Sequence, residues 1–340
     1  MSELSLNELK KQIKTGNIAS FYILYGNETY LKENYLAELR KAVLGPESDD
    51  FNLRRFDGRE LELDELIEAV EAYPSFAEKT FVEVRDFDIF KCNEGDSERL
   101  RDLLNDLPDY CCLTLVYDAV EYKPDKRKKL YSLIEAKALT VDIHQQEQND
   151  IIKWIYKHFE AYGKTISYED AAYLIFLCGS LMNGLNNEIN KIAVYAKGNR
   201  VTRADIDAAA TPVVEAVIFD LTNYISAKNY EKAAETMGKL FQLSESLIGM
   251  LSVIGSQIRR LYSARLIRDS GGGEKDIMEL LQLRSAYQAK LLYKGCMNFS
   301  YDWYKNILQL CAETDLKMKS SSGESEELLI TLFINMASRK

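Results

Sequence analysis

The sequence predicts an α/β domain with a parallel sheet, followed by regions that contain only helices. Over residues 1–143, short apolar or β-branched runs alternate with longer segments of helical period, which is the pattern of βαβ units. All five prolines lie in the first 212 of the 340 residues. Proline disrupts helix interiors, so the proline-free remainder, with its apolar residues at helical spacing, is predicted to be entirely helical.

The first region, residues 1–143, is predicted to contain five strands joined by helices. The predicted strands are Phe21–Tyr25, Phe51–Phe56, Thr80–Arg85, Leu113–Tyr117 and Leu139–Ile143. The predicted helices lie near residues 29–44, 62–72, 96–106 and 125–136, and Ser5–Glu8 fits a capping box for an opening helix. Strands joined by crossover helices run parallel, so we expect one parallel sheet with helices on both faces.

Two helical domains are predicted to follow. Residues 144–212 form a small domain with helices near 147–162, 167–179, 183–197 and 203–210, the last preceded by a capping arrangement at Thr202–Asp205. Residues 213–340 form a larger helical domain, which Gly271–Gly273 interrupt as a flexible connection.

Composition narrows the classes of function. The net charge of -10 opposes nonspecific binding to nucleic acid or to an anionic membrane. Six cysteines contain no CxxC pair, and only His144 and His158 would complement them, so we expect no metal site and no cofactor. The sequence also lacks an export signal and an apolar run of membrane-spanning length, which predicts a cytoplasmic protein.

A degenerate phosphate-binding loop follows the first predicted strand. Against the pattern GxxxxGK[ST], Gly26 and Lys32 fall in register, but Leu31 stands at the second glycine and Glu33 at the Ser/Thr position. The glycine lets backbone N–H groups approach phosphate and the hydroxyl coordinates magnesium, so both mismatches oppose nucleotide binding. We therefore predict an ordinary strand-to-helix turn with Lys32 as a solvated helix residue. A working nucleotide site is the alternative.

No other catalytic constellation is present in the sequence. Asp118 follows an apolar strand, but Ala119 stands where a nucleotide hydrolase would carry its catalytic glutamate, so Asp118 is interpreted as a turn carboxylate. The sequence contains no GxSxG, HExxH or GxGxxG motif. We therefore expect that the chain has no catalytic site of its own.

Taken together, the motifs resemble those of the delta-subunit family of the bacterial DNA polymerase III clamp loader, over nearly the whole chain. The segments that carry the resemblance are Phe21–Glu28 with Leu31, Phe56–Gly58, Pro74–Lys79, Asp125–Tyr131, Asn187–Ala196 and Ile218–Thr222. The resemblance implies an AAA+-like module that has lost ATPase capacity, then a helical lid domain, then a helical collar domain. It also implies a place in the DNA polymerase III holoenzyme.

The implied function is to bind the ring-shaped sliding clamp (beta) and hold one of its interfaces open, so that the ring can be loaded on primed DNA. The implied partners are the clamp, the delta-prime and gamma/tau-type subunits through the collar, and primer-template DNA within the complex. No membrane partner is implied. An active AAA+ ATPase or nucleotide switch, and a nucleic-acid-binding scaffold unrelated to clamps, are the rival interpretations.

The family's clamp contact, typically an exposed Leu-Phe pair, corresponds here to Ala72–Ala77. Phe76 matches the aromatic member, whereas Ser75 stands where the leucine is expected. Tyr73 or Pro74 would then supply the missing apolar contact. An aromatic anchor in a desolvated pocket is a common hot-spot arrangement. The alternative is that Phe76 belongs to the core.

The most basic segment of the chain is Lys123–Lys129. A local cluster is enough for electrostatic contact with phosphates, so this segment predicts a DNA contact through Lys126, Arg127, Lys128 and Lys129. Basic runs are more commonly a solvated helix face, which is the alternative.

Overall fold

The computed structural model describes residues 2–45, 50–243, 246–283, 285–320 and 325–338, and the chain divides into two units, residues 1–145 and 146–340. The strands are β1 (Phe21–Tyr25), β2 (Leu53–Asp57), β3 (Thr80–Arg85), β4 (Cys111–Val116), β5 (Leu139–Asp142), β6 (Thr165–Ile166) and β7 (Arg200–Val201). The helices are α1 (Ser2–Thr15), α2 (Thr29–Leu44), α3 (Leu63–Glu71), α4 (Glu94–Asn105), α5 (Lys129–Lys137), α6 (Gln148–Ala161), α7 (Tyr168–Cys178), α8 (Met182–Tyr195), α9 (Arg203–Ala209), α10 (Val214–Ser226), α11 (Tyr230–Leu243), α12 (Leu247–Asp269), α13 (Glu274–Leu280), α14 (Ala286–Gly295), α15 (Tyr301–Ser320) and α16 (Ser325–Ser338).

The described residues of the first unit form a five-stranded parallel sheet in the order β2-β3-β4-β1-β5. Its central strands β1 and β4 are buried on both faces and mainly apolar, as expected for a parallel sheet covered by helices on both sides. Along β1, Phe21 and Ile23 face a core shared with α3, α4 and α5. Tyr22 and Leu24 face the opposite core, which α1 and α2 cover. The predicted fold class of this region is confirmed.

The strand order fixes the place where a ligand would bind in such a sheet. The chain leaves β1 toward β2 on one side of the sheet and leaves β4 toward β5 on the other, although β1 and β4 are neighbours. In open α/β sheets, the crevice at the carboxyl ends of two such strands is the usual ligand site. The degenerate loop after β1 and Asp118 after β4 both lie at this edge.

The second unit begins with α6 to α9 around an apolar core that includes Ile155, Leu174 and Ile189. Helices α6 to α9 agree with the four predicted ones to within two residues, and Thr202 and Asp205 form the expected capping arrangement before α9. The short parallel pair β6 and β7 was not predicted, because two residues give no readable alternation.

Every described element after residue 213 is a helix, as the proline-free composition predicted. These helices surround a core in which Ile254, Trp303 and Leu329 are fully or almost fully buried. Gly271–Gly273 separate α12 from α13, as predicted. The boundary between a lid and a collar domain at 212–213 stays a prediction.

Some predicted boundaries were wrong, for local reasons. Residues 50–52 form a 3-10 turn, so β2 begins at Leu53 and not at Phe51. The carboxylate of Asp125 accepts a hydrogen bond from the N–H of Arg127, which holds a turn where the helix was predicted, so α5 begins only at Lys129. The segment predicted as a capping box lies inside α1, which begins at Ser2.

None of the described helices combines the length and the apolar character that crossing a bilayer requires.

Candidate functional site

Lys32 is buried at the carboxyl edge of the sheet, with only 1% of its surface exposed. Its ammonium nitrogen lies 2.6 Å from Asp118 Oδ1, 2.6 Å from the carbonyl oxygen of Tyr117 and 3.0 Å from that of Gly26. An ammonium has three N–H donors, so these three oxygens use all of them. The prediction that Lys32 is a solvated helix residue was therefore wrong. It did not foresee that Asp118 would pair with the ammonium group.

The loop between β1 and α2 is short and closed. Only Asn27 and Glu28 separate Gly26 from the first residue of α2, and the N–H of Glu28 donates to the carbonyl oxygen of Ile143 at 3.1 Å. Gly26 has φ +115°, and a Cβ there would lie 2.3 Å from the same carbonyl oxygen. The loop packs directly onto the end of β5, so it does not offer the open row of backbone N–H groups that cradles phosphate.

Glu33, at the position of the magnesium-binding hydroxyl, pairs with Arg85 at the end of β3. The guanidinium makes two parallel hydrogen bonds to the Glu33 carboxylate, at 2.6 and 2.9 Å, and also reaches Glu83 at 2.8 Å and Asp118 at 2.9 Å. The hydrogen bonds that Arg85 donates to Glu33, and after them those to Glu83, raise the pKa of Arg85 above its ordinary value. Lys32 and Arg85 share Asp118, so the charges form one connected network.

The side chain of Asp86 binds the backbone of the segment that follows β4. One oxygen of its carboxylate accepts hydrogen bonds from the N–H groups of Asp118, Ala119 and Val120, at 2.8 to 2.9 Å. Three successive backbone N–H groups of this kind form a concavity that binds anions. Here the anion is a side chain of the protein itself, and Ala119 contributes only its backbone. The edge of the sheet is thus filled by the chain's own carboxylates.

A second feature lies at the opposite edge of the sheet, just before β3. Phe76 is fully exposed, and its φ of 56° is a left-handed conformation that costs energy for a bulky residue. The alternative that Phe76 belongs to the core is therefore wrong. Tyr73 is 82% exposed, with one ring face stacked on Tyr110 at 5.1 Å. Pro74 is half-buried.

The buried side chain of Asn52 holds this loop in place. Its amide nitrogen donates to the carbonyl oxygen of Ser75 at 2.8 Å, and its amide oxygen accepts from the N–H of Ser75 at 2.7 Å. The preceding residue, Phe51, is 77% exposed. The sequence interpretation missed both residues, because it assigned them to a strand. An asparagine within an apparent strand was the available signal, since asparagine is depleted in strands.

The basic segment does not present one helix face. Lys126, Arg127 and Lys129 are exposed, but Arg127 pairs with Asp125 at 3.0 Å, and Lys128 donates to the carbonyl oxygen of Phe90. The alternative of a solvated helix face was wrong in this respect, because three of the four basic residues precede α5. A DNA contact by these four residues stays a prediction.

Neither histidine takes part in a cluster with the geometry of a metal site. His144 pairs with Asp142 at 2.7 Å, and His158 lies against Trp154. Throughout the described parts of the chain, no three His, Cys, Asp or Glu side chains are grouped so that they would hold a metal ion.

Two family models match the chain. Residues 22–144 match the model described as DNA polymerase III, delta subunit, and residues 215–336 match the one described as DNA polymerase III delta subunit, C-terminal domain. The first match includes both edges of the sheet described above.

Curated relatives and a solved structure agree with these matches. The chain is 26% identical to DNA polymerase III subunit delta of Bacillus subtilis (strain 168), over 95% of this chain and 94% of the relative. It is 22% identical to the probable DNA polymerase III subunit delta of Aquifex aeolicus (strain VF5), over 91% and 88%. The solved structure of the Bacillus subtilis DNA clamp loader delta protein (YqeN) has the same fold, with a TM-score of 0.56 and 24% identity over 98% of this chain and 99% of that one.

Proposed function

The chain belongs to the DNA polymerase III delta subunit family, and we propose that within the clamp loader it binds and opens the sliding clamp without hydrolysing ATP itself. Membership in a clamp loader, together with other clamp-loader subunits, follows from the family. The proposal adds clamp binding, clamp opening at the replication fork and the absence of ATPase activity.

The single observation that carries clamp binding is the fully exposed ring of Phe76 on a loop fixed by Asn52. A large apolar side chain that a fold presents to solvent at a cost in backbone energy points to an intermolecular role. The loop is already ordered by hydrogen bonds within the chain, which lowers the entropy lost on binding. This geometry suits an aromatic anchor that enters an apolar pocket on the clamp.

The state of the degenerate loop supports the lack of ATPase activity. To contact a phosphate, Lys32 would have to leave three oxygen partners, one of them the carboxylate of Asp118. Glu33 and Asp86 would also place negative charge beside the phosphates. The rival function, an active ATPase or nucleotide switch, requires this network to open.

The proposed function is tested by calorimetric titration of the purified full chain with the sliding clamp of the same organism. We expect binding by the wild type and a loss of about 2 kcal/mol or more for Phe76→Ala, which is about thirtyfold in Kd. Val194→Ala, which removes another exposed apolar side chain, on α8, is the control and should bind normally. A wild-type chain that does not bind the clamp contradicts the proposal.

ATP is titrated into the same protein, and hydrolysis is measured separately. The proposal expects neither heat of binding nor release of phosphate. Saturable ATP binding by the wild type, with release of phosphate, would favour the rival function instead.

A further inference from the structure

Phe51 is a third exposed aromatic side chain at the amino edge of the sheet, in addition to Tyr73 and Phe76. Among the described residues of the first unit, the exposed large apolar side chains are Phe51, Tyr73 and Phe76. Phe51 lies two residues before β2, and the other two lie shortly before β3. Because β2 and β3 are parallel neighbours, both segments lie at the same edge of the sheet. Isolated exposed apolar residues are ordinary on a protein surface, whereas a cluster of them indicates an interaction site.

The two hydrogen bonds between Asn52 and Ser75 tie the segment that carries Phe51 to the segment that carries Phe76. Phe51 precedes Asn52 and Phe76 follows Ser75, so each phenylalanine is one residue, about 3.8 Å along the chain, from a bonded partner. Asn52 is 2% exposed, and its amide satisfies both the N–H and the C=O of Ser75. Because one buried amide holds both segments, the two exposed rings are carried by backbone that is tied together at the same edge of the sheet.

Phe51 is a better second contact than Tyr73. One face of the Tyr73 ring is covered by Tyr110, whose hydroxyl donates to the carbonyl oxygen of Glu71 at 2.8 Å. Entry of Tyr73 into a pocket would break that stacking. No ring contact of this kind involves Phe51 among the interactions within the described chain. Ser75 itself is exposed and too small to supply apolar area.

We infer that Phe51 is a second anchor that enters the sliding clamp together with Phe76, and that Asn52 positions both rings. This inference rests on the proposed function. Phe51 lies 25 residues before Phe76 in the chain. It would supply the apolar contact that Ser75, next to Phe76, does not provide.

The inference is tested by measuring the clamp affinity of Phe51→Ala, Phe51→Leu, Phe76→Ala and the Phe51→Ala/Phe76→Ala double variant, with Val194→Ala as control. Phe51→Ala should weaken binding about tenfold, and Phe51→Leu, which keeps an apolar group, should recover most of that loss. The thermal unfolding midpoint of Phe51→Ala should equal that of the wild type, because an exposed ring contributes little to folding.

The outcomes separate this inference from the proposed function. If Phe76→Ala weakens binding and Phe51→Ala binds like the wild type, the inference is overturned while the proposed function stands. If the wild type fails to bind the clamp, both are overturned. A tenfold loss in Phe51→Ala with unchanged unfolding, and a larger loss in the double variant than in either single variant, supports the inference.

Discussion

Removal of the Lys32 ammonium should destabilise the first unit strongly. Lys32→Met keeps most of the apolar stem and deletes the charge, so the change isolates the bonds to Asp118, Tyr117 and Gly26. Loss of one member of a buried ion pair costs about 3–5 kcal/mol. Asp118 is 26% exposed and retains Arg85 at 2.9 Å, which places the expected loss in the free energy of unfolding at the lower end, about 3 kcal/mol.

Urea unfolding measures this loss, because urea, unlike guanidinium chloride, does not screen ion pairs. Circular dichroism follows the whole chain. Tryptophan fluorescence follows only the second unit, since both tryptophans, Trp154 and Trp303, lie there. The variant should therefore shift the part of the dichroism transition that fluorescence does not report.

Lys41→Met is the matched control, because Lys41 is an exposed lysine of the same helix. Its effect should stay within about 0.5 kcal/mol. Equal unfolding of Lys32→Met and Lys41→Met would refute the reasoning, since it would mean that the buried ammonium contributes no net stability.

Three further changes test other parts of the first unit. Asn52→Ala should lower the free energy of unfolding by about 1–3 kcal/mol and weaken clamp binding, because Ser75 loses both of its partners; unchanged clamp affinity would count against a positioning role. Gly26→Ala should lower the free energy of unfolding in urea by at least about 1–3 kcal/mol, because the new Cβ would lie 2.3 Å from the Ile143 carbonyl oxygen. Burial raises the pKa of the Cys112 thiol from 9.0 to about 12, so in the native state it stays protonated when the unfolded chain ionises. Stability should accordingly be greatest below about pH 9 and fall as the pH rises above it, as urea unfolding from about pH 8 to about pH 10 would measure; the fall should be smaller in Cys112→Ala.

The fold was predictable because its signals are local. Runs such as Phe21–Tyr25 and Thr80–Arg85 consist mainly of apolar and β-branched residues, and their bounds were confirmed to the residue. The helices of the second unit repeat apolar residues at a helical period, and prolines are absent where the chain is continuously helical. Errors fell where a side chain bonds a distant or neighbouring backbone group, as Asn52 and Asp125 do.

The candidate site was only partly predictable. Mismatches at Leu31 and Glu33 are visible in the sequence, but the burial of Lys32 depends on Asp118, which lies 86 residues later in the chain. Sequence distance hides such a pair, and a lysine on a helix is usually solvated. The exposure of Phe76 was equally hidden, because an aromatic residue before a strand fits a core as well as a surface.

At both edges of the sheet, the groups discussed above are held in place by hydrogen bonds within the chain. At the carboxyl edge, the groups that would recognise phosphate, the Lys32 ammonium and the N–H groups at residues 118–120, are bonded to carboxylates of the same chain. At the amino edge, the loop that carries Phe76 is fixed by Asn52. Under the proposed function, neither arrangement requires nucleotide to present the clamp contact. Any dependence of clamp opening on ATP would then have to come from the other subunits of the loader, which would expose or cover a surface that this chain has already formed.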